Sequence, residues 1–122
     1  MQQLTEEQAD QLVADFRNYK QHGLVPNTFG RDAAYDHPNT PPMLKAEQLR
    51  HIHLIPSNIS PKQITPQYRR TSDVHLVYCQ GALDETSWCL IAILAPDAHK
   101  QALEINIMLK LAKVAENFRC KY

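Results

Sequence analysis

The chain has 122 residues, 43% hydrophobic and 21% charged, with only three glycines. That is the make-up of one folded domain, 1–122, and it excludes disordered, collagenous and low-complexity chains. Thirteen basic and thirteen acidic side chains cancel, although residues 1–47 carry seven acids against four bases and residues 48–122 nine bases against six acids, so the total charge does not announce a nucleic-acid binder.

The first element is the best written. Thr5 can cap a helix, Gln8 completes a capping box, Leu4 can staple onto Ala9, and Gly23 supplies the stop. Ala9, Leu12, Val13, Phe16 and Tyr19 recur at helical spacing, so a helix over 5–22 with one buried face is expected. From Leu24 to Pro42 four prolines break the pattern, and the spacing allows a short helical turn over Arg31–Tyr35.

Leu49–Ile55 alternates as a strand, with Leu49, His51, His53 and Ile55 on one side and Arg50, Ile52 and Leu54 on the other. Residues 56–68 hold three prolines and no periodicity, and read as an exposed loop carrying Lys62 and Tyr68 toward Arg69 and Arg70. Asp73–Cys79 and Trp88–Ala95 are rich in branched and aromatic residues and flank a polar turn, so they predict a hairpin. The second of these is apolar throughout, as a central strand covered on both faces would be. Pro96 and Asp97 then introduce a long helix, about Ala98–Phe118, whose apolar surface exceeds one stripe and calls for two partners: the sheet, together with the first helix or a second protein. The expected fold class is α+β, with a small antiparallel sheet of about three strands packed by an N-terminal and a long C-terminal helix.

Three cysteines, an odd number without a recognisable signal peptide, point to a reducing cytoplasm, and no apolar run approaches the roughly 20 residues of a membrane span. Cys79 and Cys89 read as small core hydrophobes. No P-loop, dinucleotide fingerprint, GxSxG, CxxC or HExxH pattern occurs. The middle third instead concentrates imidazoles and cations: Arg50, His51, His53, Lys62, Arg69, Arg70 and His75, then His99 and Lys100, with Asp73 the only acid between residues 50 and 75.

That mixture suits cleavage of an RNA phosphodiester by its own 2′-hydroxyl. One group takes the hydroxyl proton, another protonates the leaving oxygen, and cations offset the charge of the phosphorane. Histidine serves either proton role and arginine matches phosphate oxygens. A symmetric hairpin would set His75 opposite Ala92, leaving space above the sheet. Tyr68, beside Arg69 and Arg70, offers a stacking platform for an unstacked base. His51 and His53, at HxH spacing, could ligate zinc with Cys79 or His75, or simply face solvent. FGRDAAYD (29–36) reads as a folded loop anchored by Phe29, with Arg31 paired to Asp32 or Asp36.

FGRDAAYD, HIHL (51–54), RTSDVHLVYCQG (70–81) and LIAILAP followed by HK (90–100) resemble the YafO family of bacterial toxins, ribosome-dependent mRNA interferases of type II toxin–antitoxin systems. The likeness runs from about Leu4 to Tyr122. The hairpin is also similar to the wider RelE and YoeB group, in which paired arginines precede an HRLVY-like strand and a histidine follows the last strand. That resemblance implies an active face of Arg69, Arg70, His75 and His99, with His75 standing where the group often has arginine. That departure keeps the group's mechanism from being carried over role by role, and the roles expected here are His75 or His99 as general base and acid, Arg69 and Arg70 as phosphate clamps, Arg50 and Lys100 as further RNA-binding cations, and Tyr68 or Tyr78 for stacking. The implied protein is a cytoplasmic endoribonuclease needing no cofactor or metal, cutting translated mRNA on the ribosome. Its implied partners are mRNA, the ribosome and a cognate antitoxin covering the active groove or the terminal helix, the apolar surface of Leu103–Ala115 being one candidate site, which a homodimer would also use. RelE-like toxins begin with a strand that nothing before Thr5 supplies, so the sheet is expected to lack an edge. The rival readings are a translation blocker that binds ribosome or RNA without cutting, and a metal hydrolase built on His51 and His53.

Overall fold

The computed structural model describes residues 3–35, 40–56 and 66–122. Lys62, most of the expected 56–68 loop, and Asp36 as a partner for Arg31 lie outside these residues.

Helix α1, Glu6–His22, forms as its capping grammar dictates. The Thr5 hydroxyl accepts the Gln8 N–H at 3.2 Å, the Gln8 side chain accepts the Thr5 N–H at 3.0 Å, and Gly23 ends the helix in the left-handed region at φ +67°. Four strands follow: β1 (Phe29–Ala34), β2 (Arg50–Leu54), β3 (His75–Gln80) and β4 (Trp88–Leu94). They form one antiparallel sheet in chain order, β1-β2-β3-β4. The α+β class holds, with one strand more than expected.

The extra strand is β1, and it replaces the helical turn expected over Arg31–Tyr35. It also supplies the edge that the N-terminus could not, since β1 pairs with β2 after α1 has been laid down. β4 is an edge strand, not the central one; its continuous apolar run reflects contact with a core on each face rather than a strand neighbour on each side. The inner positions belong to β2 and β3, and β3 is buried at five of its six residues.

The long C-terminal helix is two helices, α3 (Ala98–Ala102) and α4 (Ile105–Arg119), interrupted at Leu103 and Glu104. A further short helix, α2 (Pro42–Ala46), precedes β2. On one face of the sheet Ile52, Leu76, Tyr78 and Ile93 pack against Phe16 of α1, whose ring meets Tyr78 and Trp88 edge-on at 5.1 and 5.8 Å. Truncating Phe16 to alanine would cost roughly 3–5 kcal/mol. On the other face Val77, Cys79 and Leu94 pack against Met108, Leu111, Ala112 and Ala115 of α4. Helices α1 and α4 therefore cover opposite faces, and α4 finds its additional partners in α2 and α3 rather than in α1.

Candidate active site

Register brings the histidines together. His53 stands opposite His75 across the β2–β3 ladder and His51 is two residues along β2, so the pleat points all three to the α4 side. The His75 ring lies 4.5 Å from His51 and 4.4 Å from His53, centroid to centroid. His53 and His75 are buried, so the solvent-facing alternative for this strand face is overturned. Nor does Ala92 face His75: the hairpin closes with Gln80 opposite Trp88, one residue off the symmetric register, a bulge between Val77 and Tyr78 adds a second, and His75 opposes Leu94.

A fourth imidazole arrives from α3. The Ala98 N–H donates to the Asp73 carbonyl at 3.0 Å, and the Asp73 carboxylate accepts the His99 N–H at 2.9 Å and contacts its Nδ1 at 2.7 Å. These bonds stitch the start of α3 to the residues entering β3 and set the His99 ring 4.9 Å from His75. The space that the Ala92 register would have left is provided instead by a cavity of about 500 Å³, lined among others by Tyr35, Leu44, His51, His75, His99 and Met108. A larger concavity of about 860 Å³ lies between α1 and the end of α4, but none of its lining residues is a histidine. Chemistry therefore favours the smaller one.

Burial, reinforced by the neighbouring imidazoles, pushes His75 down to about 3 and His51 to about 4, and burial lowers His53 as well. These rings are neutral at neutral pH. The Tyr35 hydroxyl sits 3.3 Å from His75 Nδ1, while His75 Nε2 and His51 Nδ1 are buried with no hydrogen-bond partner among the described residues. His53 Nδ1 lies 2.8 Å from the Ser72 carbonyl oxygen and 2.9 Å from its N–H, so either tautomer has a partner. Hydrogen bonds to its carboxylate hold Asp73 below the usual range; an ionised carboxylate only accepts, so His99 carries its proton on Nδ1 and presents Nε2 to the surface.

The expected cations sit in separate places. Arg69 and Tyr68 are exposed on a 3-10 turn, Gln67–Arg69, with the Arg69 guanidinium 5.6 Å from the Tyr68 ring. Arg70 follows, its carbonyl accepting the Arg31 N–H at 2.8 Å and its Nε buried without a partner among the described residues. Residue 30 must be glycine for this approach, since a Cβ there would collide with the Arg70 carbonyl. Lys100 is exposed beside His99.

Arg50 and Tyr78 do not join them. Both point to the α1 side, where Tyr78 has no exposed surface and donates to Asp32 at 2.6 Å, and Arg50 donates to the Tyr78 hydroxyl at 3.2 Å. The expectation that Tyr78 stacks on a base is corrected by that burial, and Arg50 belongs to the same polar cluster. Arg31 is expected to pair with Asp32 or Asp36, but Asp32 pairs with Lys20 and Arg50. Arg31 is exposed on β1, and its charge is felt at His51 and His53, where it disfavours the imidazolium. Asp73 was visible only as the lone acid in a basic stretch, and Tyr35 carried no signal.

Residues 17–120 match the sequence profile of the family described as toxin YafO, type II toxin-antitoxin system. The chain is also 52% identical over 122 residues to the mRNA interferase toxin YafO of Escherichia coli (strain K12), an alignment spanning 98% of this chain and 92% of that protein. No solved structure matches the chain.

Proposed function

The chain belongs to the YafO toxin family of type II toxin–antitoxin systems, and on that premise we propose that it is an endoribonuclease that cleaves translated mRNA on the ribosome by metal-independent acid–base catalysis, residues 1–122 acting as one domain. The observation that carries this reading is the convergence of His51, His75 and His99 on one cavity, with His53 packed behind His75 and Asp73 behind His99.

The 2′-oxygen of the substrate attacks the adjacent phosphorus and the bond from phosphorus to the 5′-oxygen breaks, leaving a cyclic phosphate and a 5′-hydroxyl. The proton of the 2′-hydroxyl must leave and the departing 5′-oxygen must gain one. His75 is neutral and its Nε2 has no partner among the described residues, which suits it to accept. His99 is exposed and backed by a carboxylate that stabilises positive charge on the ring, which suits it to donate. Arg31, Arg69, Arg70 and Lys100 supply cations for the phosphate, and Tyr68, 63% exposed, offers a face to a base.

Neutral net charge weakens attraction for free RNA and fits an enzyme that receives its message already placed in the ribosome. The family implies a cognate antitoxin, and the exposed Leu103, Ile105 and Leu109 give it an apolar surface, for which a homodimer would compete. We place the protein in the cytoplasm; no helix among the described residues is long and apolar enough to cross a membrane.

Primer extension on mRNA from a translating extract tests the reading. Discrete new 5′ ends that disappear with His75→Ala and with His99→Ala support the nuclease. Intact transcripts alongside arrested synthesis would establish the non-cutting blocker instead.

A further inference from the structure

We propose that His51, His53 and His75 form a binding site for one divalent transition-metal ion of the zinc class, and that its occupancy switches RNA cleavage off. The binding half stands on geometry alone; the inhibitory half rests on the nuclease reading above.

Each of the three residues can offer one ring nitrogen such that all three nitrogens lie within 4.8 Å of one another. Two nitrogens bound to zinc at about 2.0–2.1 Å lie roughly 3.3 Å apart in a tetrahedral site, so modest ring rotations close the triad. Two buried nitrogens here, His75 Nε2 and His51 Nδ1, have no hydrogen-bond partner among the described residues. A buried polar atom left unpaired is costly, and a metal ion would satisfy it.

The outer contacts have the form that metal-bound histidines require, with the second ring nitrogen held by a polar group. Tyr35 lies at His75 Nδ1, and the Ser72 carbonyl at His53 Nδ1, leaving the far nitrogen of each ring to bind. Three neutral imidazoles without a carboxylate among them select borderline ions such as Zn²⁺, Co²⁺ or Ni²⁺ over Mg²⁺ and Ca²⁺. Asp73, the acid that the structure places beside His99, is engaged at His99 Nδ1. The 500 Å³ cavity, lined by His51 and His75, gives solvent a route to the site and room for a water as fourth ligand. A lone pair that coordinates a cation cannot also accept a proton, so the ion removes His75 from the reaction.

The test uses the full chain without a histidine tag. Co²⁺ is titrated in and followed by its visible absorption, with Zn²⁺ then added as competitor. The expected result is one equivalent bound, displaced by Zn²⁺, unaffected by millimolar Mg²⁺, and weakened at least tenfold in both His51→Ala and His53→Ala. His51 is only half-buried, so its variant keeps the test open should His53→Ala fail to fold. Absence of saturable binding, or equal binding by folded variants, overturns the site. In a reconstituted translation system, zinc-loaded protein is expected to cleave at least tenfold more slowly than metal-free protein, with recovery on adding a chelator that spares Mg²⁺. Unchanged cleavage by loaded protein overturns the inhibitory half, and loss of cleavage on chelation would reverse its sign. Failure of metal-free protein to cleave at all counts against the nuclease reading, while the Co²⁺ titration still decides the site.

Discussion

Asp73 holds His99 twice, through the backbone N–H at 2.9 Å and through Nδ1 at 2.7 Å, across 26 residues of sequence. The first bond fixes the start of α3 and the second fixes the tautomer of the ring it presents. Asp73→Asn keeps a side chain able to accept the backbone N–H but can also donate to Nδ1, which would move the imidazole proton to Nε2. The expected outcome is a roughly 10- to 10³-fold loss of cleavage with little change in thermal stability, recovered in part by Asp73→Glu. Rates in a reconstituted translation system, together with thermal melts, check it. A large fall in melting temperature with no change in rate would assign Asp73 a structural role only.

Removing either proposed proton carrier should be costlier. His75→Ala and His99→Ala are each expected to slow cleavage by ~10²- to 10⁴-fold, and the double variant to lose far less than the product of the two, as groups acting in one step do. Cleavage time courses for the two single variants and the double variant decide it; full additivity in free energy would mean that the two rings act independently.

Arg31 and Tyr78 give a sharper contrast. Arg31→Ala is expected to weaken cleavage at low substrate concentration with near-normal stability, because Arg31 is exposed next to the histidines. Tyr78→Phe is expected to do the reverse, leaving a buried Asp32 oxygen without its 2.6 Å donor at a cost of about 1–3 kcal/mol while cleavage by the folded fraction persists. Denaturant melts and cleavage assays run on the same preparations separate the two.

How much of this was legible follows from where each signal is stored. Thr5, Gln8 and Gly23 write the ends of α1 within a few residues, so the helix could be read directly. β1 could not: Gly30, Asp32, Ala33 and Ala34 have poor strand propensity, and the pairing of β1 with β2 and with the Arg70 carbonyl is set by distant segments. The HxH spacing put His51 and His53 on one face, yet whether His75 joined them depended on the β2–β3 register, and the neighbour of His75 on β4 depended on a bulge. Tyr78 and Arg50 looked like ligand-binding residues because sequence shows side-chain chemistry and not which side of a sheet it faces.

Asp32 ties the polar cluster on the α1 face to pH. Burial alone would raise its pKa, but hydrogen bonds from Tyr78 and Tyr19, with Lys20 and Arg50 nearby, outweigh that and hold it below 3.8. Burial costs the Lys20 ammonium more than Asp32 returns, so its pKa falls too, and the hydroxyl donors rather than the 3.4 Å Lys20 contact hold the carboxylate. A carboxyl depressed on folding adds stability that is present above its unfolded pKa of about 3.9 and is lost as the pH drops through its folded value. Asp32→Asn should therefore cost roughly 2 kcal/mol at pH 7, a gap that narrows below about pH 4. Urea melts of both proteins between pH 3 and pH 7 check it; a gap independent of pH would mean that ionisation of Asp32 contributes nothing.

Gly30 links the backbone of β1 to the segment that carries most of the proposed site. The Arg70 carbonyl reaches the Arg31 N–H only because residue 30 has no Cβ, and Arg70 is followed within three residues by Ser72, which holds His53, and by Asp73, which holds His99. Gly30→Ala must push that carbonyl away, breaking the 2.8 Å bond and shifting Arg69 to Asp73 together. A misplacement of about 1 Å in a positioned group can cost on the order of 10²-fold in rate. Gly30→Ala is thus expected to lose cleavage out of proportion to its loss of stability, whereas Gly23→Ala, where a Cβ meets only open space but the backbone is left-handed, should cost about 1 kcal/mol of stability and leave the rate unchanged. Melting temperatures and cleavage rates for the pair decide it; if Gly30→Ala cleaves normally, the segment from Arg69 to Asp73 is held in place by something other than its contact with β1.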